Sequence, residues 1–171
     1  LQVRNPITTE GLVQLTMGGP QFSFNGGLLM VRLRYYDWDR RRPGLPPDVA
    51  ALVEAIDVDG AVVTLVNLSA ATQRELVVQA GAFCEHRFTT IRYQALARGC
   101  SHDVFSGTNW QEEERYDEEM AGEVEEYEVA VRASCFRVAM KPCSRIRLHL
   151  GMDRFVNTPS YDLPWAAEVS G

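Results

Sequence analysis

The sequence predicts an all-β protein with the fold of an antiparallel β-sandwich, and three observations carry this prediction. Apolar and polar side chains alternate with the two-residue period of a strand in several short segments. Glycine, proline, asparagine and serine separate these segments at short intervals, as turns do. The chain has 171 residues, the size of one ordinary domain. We therefore expect a single sandwich domain over residues 1–171, immunoglobulin- or fibronectin-like, with about eight strands and one short helix.

The N-terminal part is expected to supply two strands and the helix. Residues 12–16 are apolar enough for a short strand, and residues 28–36 alternate in character along their length. Residues 37–48 hold three prolines and a glycine, which predicts a loop. Because the Pro-Pro-Asp sequence at 46–48 is typical of a helix start, we expect the short helix over residues 49–55.

The best candidate for a core strand is residues 61–68, which are apolar on both faces and rich in β-branched side chains. This composition is typical of a central strand that is covered on both sides. Residues 74–79 and 86–93 follow as two more strands of an antiparallel meander. Three further strands complete the count: residues 127–133, 136–140 and 145–150.

Two long segments lie outside this strand pattern. Residues 94–126 lack a sustained period and exceed the length of an ordinary loop, so we expect an insertion. The acidic run, residues 112–128, holds ten acids and one base, whereas the rest of the chain holds 13 acids and 16 bases. We expect a solvated loop there, with docking on a basic surface as the alternative. Residues 151–171 are expected to form an extended tail that its aromatic side chains pin to the body.

Two segments together resemble a known kind of accessory domain. Residues 66–69 with 74–78 (VNLS and RELVV) resemble the opening of the C-terminal β-sandwich of many carbohydrate-active enzymes. Residues 136–148 (FRVAMKPCSRIRL) resemble its closing hairpin, with Cys143 where a glycine is usual. The resemblance implies an accessory or assembly domain with an extracytoplasmic location and no catalytic residues to carry over. Four other segments are similar to the C-terminal region of large, uncharacterised, exported bacterial proteins: residues 25–29, 40–53 and parts of 79–86 and 154–165.

Composition excludes several classes of partner. The net charge of −6 argues against a nucleic-acid binder whose affinity depends on neutralising phosphates. No apolar run approaches the roughly 20 residues that a transmembrane helix requires. The chain begins with neither methionine nor a leader, so we expect a mature product or a piece of a larger protein.

The four cysteines, Cys84, Cys100, Cys135 and Cys143, do not match a metal site. They contain no CxxC pair and their spacing fits no zinc module, so we expect neither a metal nor another cofactor. In a secreted chain they can form two disulfides in any of three connectivities. In a cytosolic chain they remain small, buried apolar residues.

One loop combines aromatic and basic side chains and is the candidate ligand site. Aromatic rings can stack on sugars while guanidinium groups hold anions. The alternative is that the rings cover an edge of the core and the arginines are solvated. The six candidate residues are Tyr35, Tyr36, Trp38, Arg40, Arg41 and Arg42.

A second candidate is the basic face formed by Arg145, Arg147 and His149, which share one side of a predicted strand. This face can bind an anion, or it can be the solvated outer face of the sandwich. In a third arrangement the acidic run docks on this basic face, so that the two charge clusters neutralise each other.

No catalytic constellation emerges from the remaining candidates. Glycoside hydrolysis requires a pair of carboxylates, which Asp37, Asp39 and Glu54 could supply. Two acids close together in one loop are common by chance, however, so this pattern is weak evidence for a hydrolase. His86 and His102 stand near no nucleophile motif.

Two further motifs are expected to be structural. Residues 57–60 (DVDG) begin like a calcium loop but lack its later ligands, which favours a plain turn. Asn67 heads a glycosylation sequon at a strand end, where we expect it to cap a turn.

We therefore expect a non-catalytic structural or assembly domain derived from a larger exported protein. Its expected partners are other chains or other domains of the parent polypeptide, including copies of itself. Two alternatives remain: a carbohydrate-binding module that uses the aromatic and arginine loop, and a glycoside-acting hydrolase.

Overall fold

The computed structural model describes residues 9–19, 31–96 and 124–166, and one helix and nine strands lie within these ranges. The greater part of the predicted insertion and of the acidic run lies outside the described residues. The elements in chain order are α1 (Thr9–Met17), β1 (Leu33–Asp37), β2 (Arg42–Pro43), β3 (Val49–Ile56), β4 (Gly60–Asn67), β5 (Arg74–Ala80), β6 (Arg87–Leu96), β7 (Val124–Ala133), β8 (Cys135–Met140) and β9 (Arg145–Asp153).

The strands form two antiparallel sheets that enclose one core. The four-stranded sheet has the order β2-β1-β5-β8, and the five-stranded sheet has the order β3-β4-β9-β6-β7. All neighbouring strands run antiparallel. The prediction of an all-β antiparallel sandwich is therefore confirmed. The apolar segment at 61–68 supplies most of β4, which lies between β3 and β9.

Regular alternation along β9 shows how the sequence builds the core. Its even-numbered residues from Ile146 to Met152 are buried, whereas the odd-numbered ones face outward. Except for the exposed two-residue β2, the other strands turn apolar side chains into the same space between the sheets. Phe88 of the five-stranded sheet meets Phe136 of the four-stranded sheet edge to face, with 4.9 Å between ring centroids. Burial of one such ring contributes about 2–3 kcal/mol, so this pair joins the two sheets strongly.

Gly60 is required where β4 passes closest to β9. It pairs in register with Gly151, and a Cβ atom at position 60 would collide with the backbone carbonyl of Leu150. Glycine is therefore the residue that lets these two central strands hydrogen-bond at their ends.

The predicted strand at 12–16 is wrong, because this segment belongs to α1. The Thr16 hydroxyl donates to the carbonyl of Leu12 one turn earlier, and Gly18 ends the helix in the left-handed region at φ 66°. The amide of Gly18 donates to the carbonyl of Gln14. A five-residue apolar run fits either period, and here the glycine that follows it provides the helix C-cap.

The predicted helix at 49–55 is also wrong, because these residues form β3. Val49, Ala51 and Val53 are buried while the residues between them are exposed, which is the period of a strand. Asp48 adopts φ 63°, a left-handed conformation that directs the chain away from a helical start. Pairing with β4 over the whole segment outweighs the helix-start signal of the prolines.

Several strand ends differ from the predicted ones. β6 continues to Leu96 and β7 begins at Val124, and these two residues pair in register, so the strands extend into both ends of the predicted insertion. β9 continues to Asp153, three residues into the predicted tail. β1 begins at Leu33, and residues 28–30 of the predicted strand lie outside the described residues.

Candidate functional site

The structure places the two tyrosines of the candidate ligand loop on opposite faces of β1. Tyr35 points into the core and is 4% exposed, and burial raises the pKa of its hydroxyl. Tyr36 lies on the outer face of the four-stranded sheet, 2% exposed, and its hydroxyl donates a hydrogen bond to Gln79 Oε1 at 3.0 Å. The ring of Trp165, in the tail, meets Tyr36 edge to face with 5.7 Å between centroids. Neither tyrosine ring therefore offers a face on which a sugar would stack.

Trp38 is half-buried and contacts arginines of its own chain. The guanidinium carbon of Arg41 lies 3.9 Å from its ring centroid, and that of Arg137 lies 4.8 Å from it. Arg41 also approaches the ring of Trp165 at 5.8 Å. Each such cation–π contact contributes about 0.5–1 kcal/mol at an exposed site, so these four residues form a packing cluster between the β1–β2 turn and the tail.

The carboxylate of Asp37 organises the rest of this loop. Asp37 is 1% exposed; its Oδ1 accepts the backbone N–H of Arg40 at 3.1 Å, and its Oδ2 accepts Arg42 Nε at 3.3 Å. Asp39 is exposed in the same turn, and Glu54 lies on β3 of the other sheet. The structure therefore does not bring the three suggested carboxylates together as a pair for glycoside hydrolysis.

The basic face on β9 is partly neutralised by its neighbouring strands. Arg147 Nη2 and Nε both lie 2.8 Å from Glu54 Oε2, and Thr64 Oγ1 donates to Glu54 Oε1 at 2.6 Å. The hydrogen bond from Thr64, followed by that from Arg147, lowers the pKa of Glu54. Arg145 is exposed and His149 is half-buried on the same outer face.

Three acids of the acidic run, Glu125, Glu126 and Glu128, fall within the described residues. Glu126 and Glu128 are exposed on β7. In the register of the five-stranded sheet, Glu128 lies opposite Arg92, and Arg92 lies opposite His149. Docking of the whole run on the basic face stays a prediction, because residues 112–123 lie outside the described residues.

Sequence reasoning missed a polar cluster that we name the tail anchor: Glu85, His86 and Asn157. It begins at Gly81, which adopts φ 84° after β5 and turns the chain back. The Glu85 carboxylate fills the space where a side chain at Gly81 would lie. Its two oxygens accept the backbone N–H groups of Ala82 at 3.2 Å and Phe83 at 2.7 Å. Glu85 thereby fixes the shape of the 81–86 loop.

His86 binds the start of the tail. It is 2% exposed, and its Nδ1 accepts the backbone N–H of Phe155 at 3.1 Å. The ring of Phe155 meets the imidazole edge to face at 4.7 Å. Burial lowers the pKa of His86, with Arg32 and Arg154 acting in the same direction and the nearby Glu85 carboxylate opposing them. The neutral imidazole is therefore the form that holds the tail.

Asn157 makes the central contact of the tail anchor. Its side-chain Nδ2 donates to the carbonyls of Cys84 at 2.9 Å and His86 at 3.0 Å, and to Ser134 Oγ at 3.1 Å. Its backbone N–H donates to the carbonyl of Glu85 at 3.3 Å. One asparagine thus fastens the tail both to the 81–86 loop and to the connection between β7 and β8.

The stability of the domain should fall as the pH is lowered through about 6.5, the ordinary pKa of histidine. Because folding lowers the pKa of His86, the unfolded chain takes up the proton first. The stabilising effect of the neutral ring is therefore complete above about pH 6.5 and is lost as the pH approaches the lowered value. Urea unfolding at a series of pH values measures this loss.

Two glutamine variants make the pH experiment specific. In His86→Gln the slope of stability against pH should flatten between about pH 7.5 and pH 5.5, because the titrating group is gone. His149→Gln, on the outer face of the five-stranded sheet, is the control and should keep the wild-type slope. A wild-type slope in His86→Gln would show that another group governs the acid response.

Comparison of the chain with protein-family models, with curated proteins and with solved structures found no match. The family resemblance of the sequence therefore stays a prediction. Within residues 9–19, 31–96 and 124–166, no helix is long and apolar enough to cross a membrane. The same residues contain no group of three or more His, Cys, Asp or Glu side chains arranged to hold a metal ion.

Proposed function

We propose that this chain is a non-catalytic structural domain that serves in attachment or assembly within a larger exported protein. The observation that carries the proposal is that buried side chains of catalytic type bind the chain's own backbone. Buried Glu85 fixes the 81–86 loop, buried His86 and half-buried Asn157 hold the tail, and buried Asp37 holds the β1–β2 turn. Polar side chains that bind the chain's own backbone stabilise a scaffold, which favours a structural role over a catalytic one.

Asn67, at the end of β4, follows the same principle. This asparagine is fully buried, and its Nδ2 donates to the carbonyls of Thr72 at 2.9 Å, Met140 at 3.1 Å and Lys141 at 2.8 Å. Its Oδ1 accepts the backbone N–H of Ser69 at 3.0 Å. Asn67 therefore ties the β4–β5 connection to the end of β8, and both polar atoms of its side chain are engaged there.

The exposed apolar side chains support attachment as the role of the scaffold. Apolar surface exposed on a folded domain can serve as contact with another protein or domain. Apart from Leu68, the large exposed apolar side chains of the described residues lie on α1, on β3 with the turn that follows it, and on the tail. The side chains concerned are Leu12, Leu15, Leu52, Ile56, Val58, Phe155, Val156, Tyr161 and Leu163.

The resemblance to accessory sandwiches of exported proteins agrees with this role. It suggests that the partners are other domains of the parent polypeptide or other copies of it. Sedimentation velocity of the full chain, alone and mixed with the flanking segments of its reading frame, tests the proposal. We expect association that increases with concentration. A chain that stays monomeric and does not bind those segments at any concentration would contradict the proposal.

A glycan array and a panel of glycosides, used with the same preparation, test the two alternatives. Binding that Trp38→Ala abolishes would favour the carbohydrate-binding module. Tyr161→Ala is the matched control, because this ring is 83% exposed and lies outside the cluster around Trp38. Turnover of any glycoside would overturn the non-catalytic assignment.

A further inference from the structure

The outer face of the four-stranded sheet brings two cysteines distant in sequence to one place. In the register of β1, β5 and β8, Arg34 lies opposite Gln79, and Gln79 lies opposite Cys135. Residues opposite one another in a sheet share a face. The hydrogen bond from Tyr36 to Gln79 shows that this face is the outer one. The Cys135 side chain therefore stands on the outer face, in the same row as Gln79.

The loop after β5 folds back over this row. The Gln79 side-chain amide donates to the carbonyls of Gly81 at 3.1 Å and Ala82 at 3.2 Å. Arg34 Nη1 donates to the same Ala82 carbonyl at 2.8 Å. The side chains of Arg34 and Gln79 therefore hold the 81–86 loop over the outer face of the sheet. Cys84 lies in this loop, two residues after Ala82.

The tail fixes the remaining distance. Asn157 Nδ2 bonds both the carbonyl of Cys84 and the hydroxyl of Ser134, the residue before Cys135. Burial raises the pKa of the Cys84 thiol to about 11, and the next effect in size is the charge of Cys135, ahead of the adjacent Glu85. The loop contacts of Arg34 and Gln79, together with Asn157, therefore place Cys84 beside the start of β8, where Cys135 lies. Both cysteines are half-buried and unbonded, so a small reagent can reach them.

We propose that Cys84 and Cys135 are a disulfide-forming pair, the connectivity that the fold selects from those the sequence leaves open. Each thiol loses its proton and the sulfurs form one bond, while two electrons pass to a small-molecule disulfide such as glutathione disulfide. The S–S bond of the oxidant breaks and yields two thiols. The pairing goes beyond the assembly role and does not depend on it.

This disulfide would hold the tail anchor covalently. It joins the 81–86 loop to the start of β8, and Asn157 binds both sides of that junction. The ring of chain that it closes contains β6, the acidic run and β7. An oxidised domain would therefore keep the docking surface of the tail in place even when the chain is cut between β6 and β7.

Peptide mapping tests the pairing without ambiguity, because trypsin leaves each cysteine in a peptide of its own. These peptides are residues 75–87, 99–115, 133–137 and 138–145. The full chain is incubated with glutathione disulfide at mildly alkaline pH, since the raised pKa of Cys84 leaves little of the reactive thiolate at neutral pH. Free thiols are then blocked with N-ethylmaleimide, and the digest is analysed without reduction.

The expected product is a cross-link between peptides 75–87 and 133–137, with a loss of about 2 Da from the intact chain. The cross-link should vanish in Cys84→Ser and in Cys135→Ser and persist in the control Cys143→Ser. Glutathione adducts on both cysteines without a cross-link would overturn the proposal, as would pairing with Cys100 or Cys143. Failure of the wild-type chain to react, when the urea-unfolded chain does react, would overturn it too.

Discussion

Replacing Phe88 with alanine is expected to destabilise the domain by about 3–5 kcal/mol, the usual cost of removing a fully buried phenylalanine. Phe88 is 0% exposed and touches Phe136 across the core, so the change opens a cavity between the two sheets. Urea unfolding followed by tryptophan fluorescence measures the loss. A decrease of this size exceeds a quarter of the stability of many domains, so the variant should unfold at a markedly lower urea concentration.

The same substitution at an exposed ring is the matched control. Phe155 is 61% exposed, and Phe155→Ala should cost no more than about 1 kcal/mol. Equal costs at the two positions would mean that the contact between Phe88 and Phe136 does not join the sheets.

Replacing Asn157 with alanine is expected to cost about 2 kcal/mol, because three acceptors lose their donor at once. Asn157→Asp should cost at least as much, since it places a carboxylate against two carbonyl oxygens. The exposed neighbour Thr158 provides the control, and Thr158→Ala should unfold like the wild type. Loss of stability in the control alone would show that Asn157 does not hold the tail.

Strand periodicity could be predicted wherever a single face of a strand meets the core. β9 alternates over its full length. β4 is central in its sheet, but its second face is only half-buried, so the prediction of cover on both sides is wrong for this strand. The alternation follows from the burial of one face of a pleated sheet and is visible in the sequence alone. The two-layer architecture could therefore be derived without the structure.

Short segments at which two local signals compete could not be assigned in this way. The apolar run before Gly18 fits a strand and a helix equally, and the tertiary contact with β3 accompanies the helical form. The proline pair before Asp48 favours a helix, yet the residues from Val49 to Val53 alternate and pair with β4. In both cases the outcome depends on partners that are distant in sequence.

The tail anchor could not be predicted because its members come from segments far apart in the chain. His86 and Asn157 are separated by 71 residues, and no local spacing relates them.

The burial of Tyr36 could not be predicted either, because its outward position in β1 predicts exposure. Trp165 from the tail contacts it and leaves it buried. An outer sheet face that another segment covers looks, in the sequence, the same as a face open to water.

Hydrogen exchange of three tail amides tests the central claim most directly, namely that the buried polar residues serve to dock the tail. The amides of Phe155, Asn157 and Ser160 donate to the 81–86 loop at 3.1, 3.3 and 2.7 Å. In the wild type they should exchange at least roughly tenfold more slowly than in Asn157→Ala, while the amides of β4 and β9 stay protected in both. Fast exchange of the three amides in the wild type, or equal protection in the variant, would contradict it.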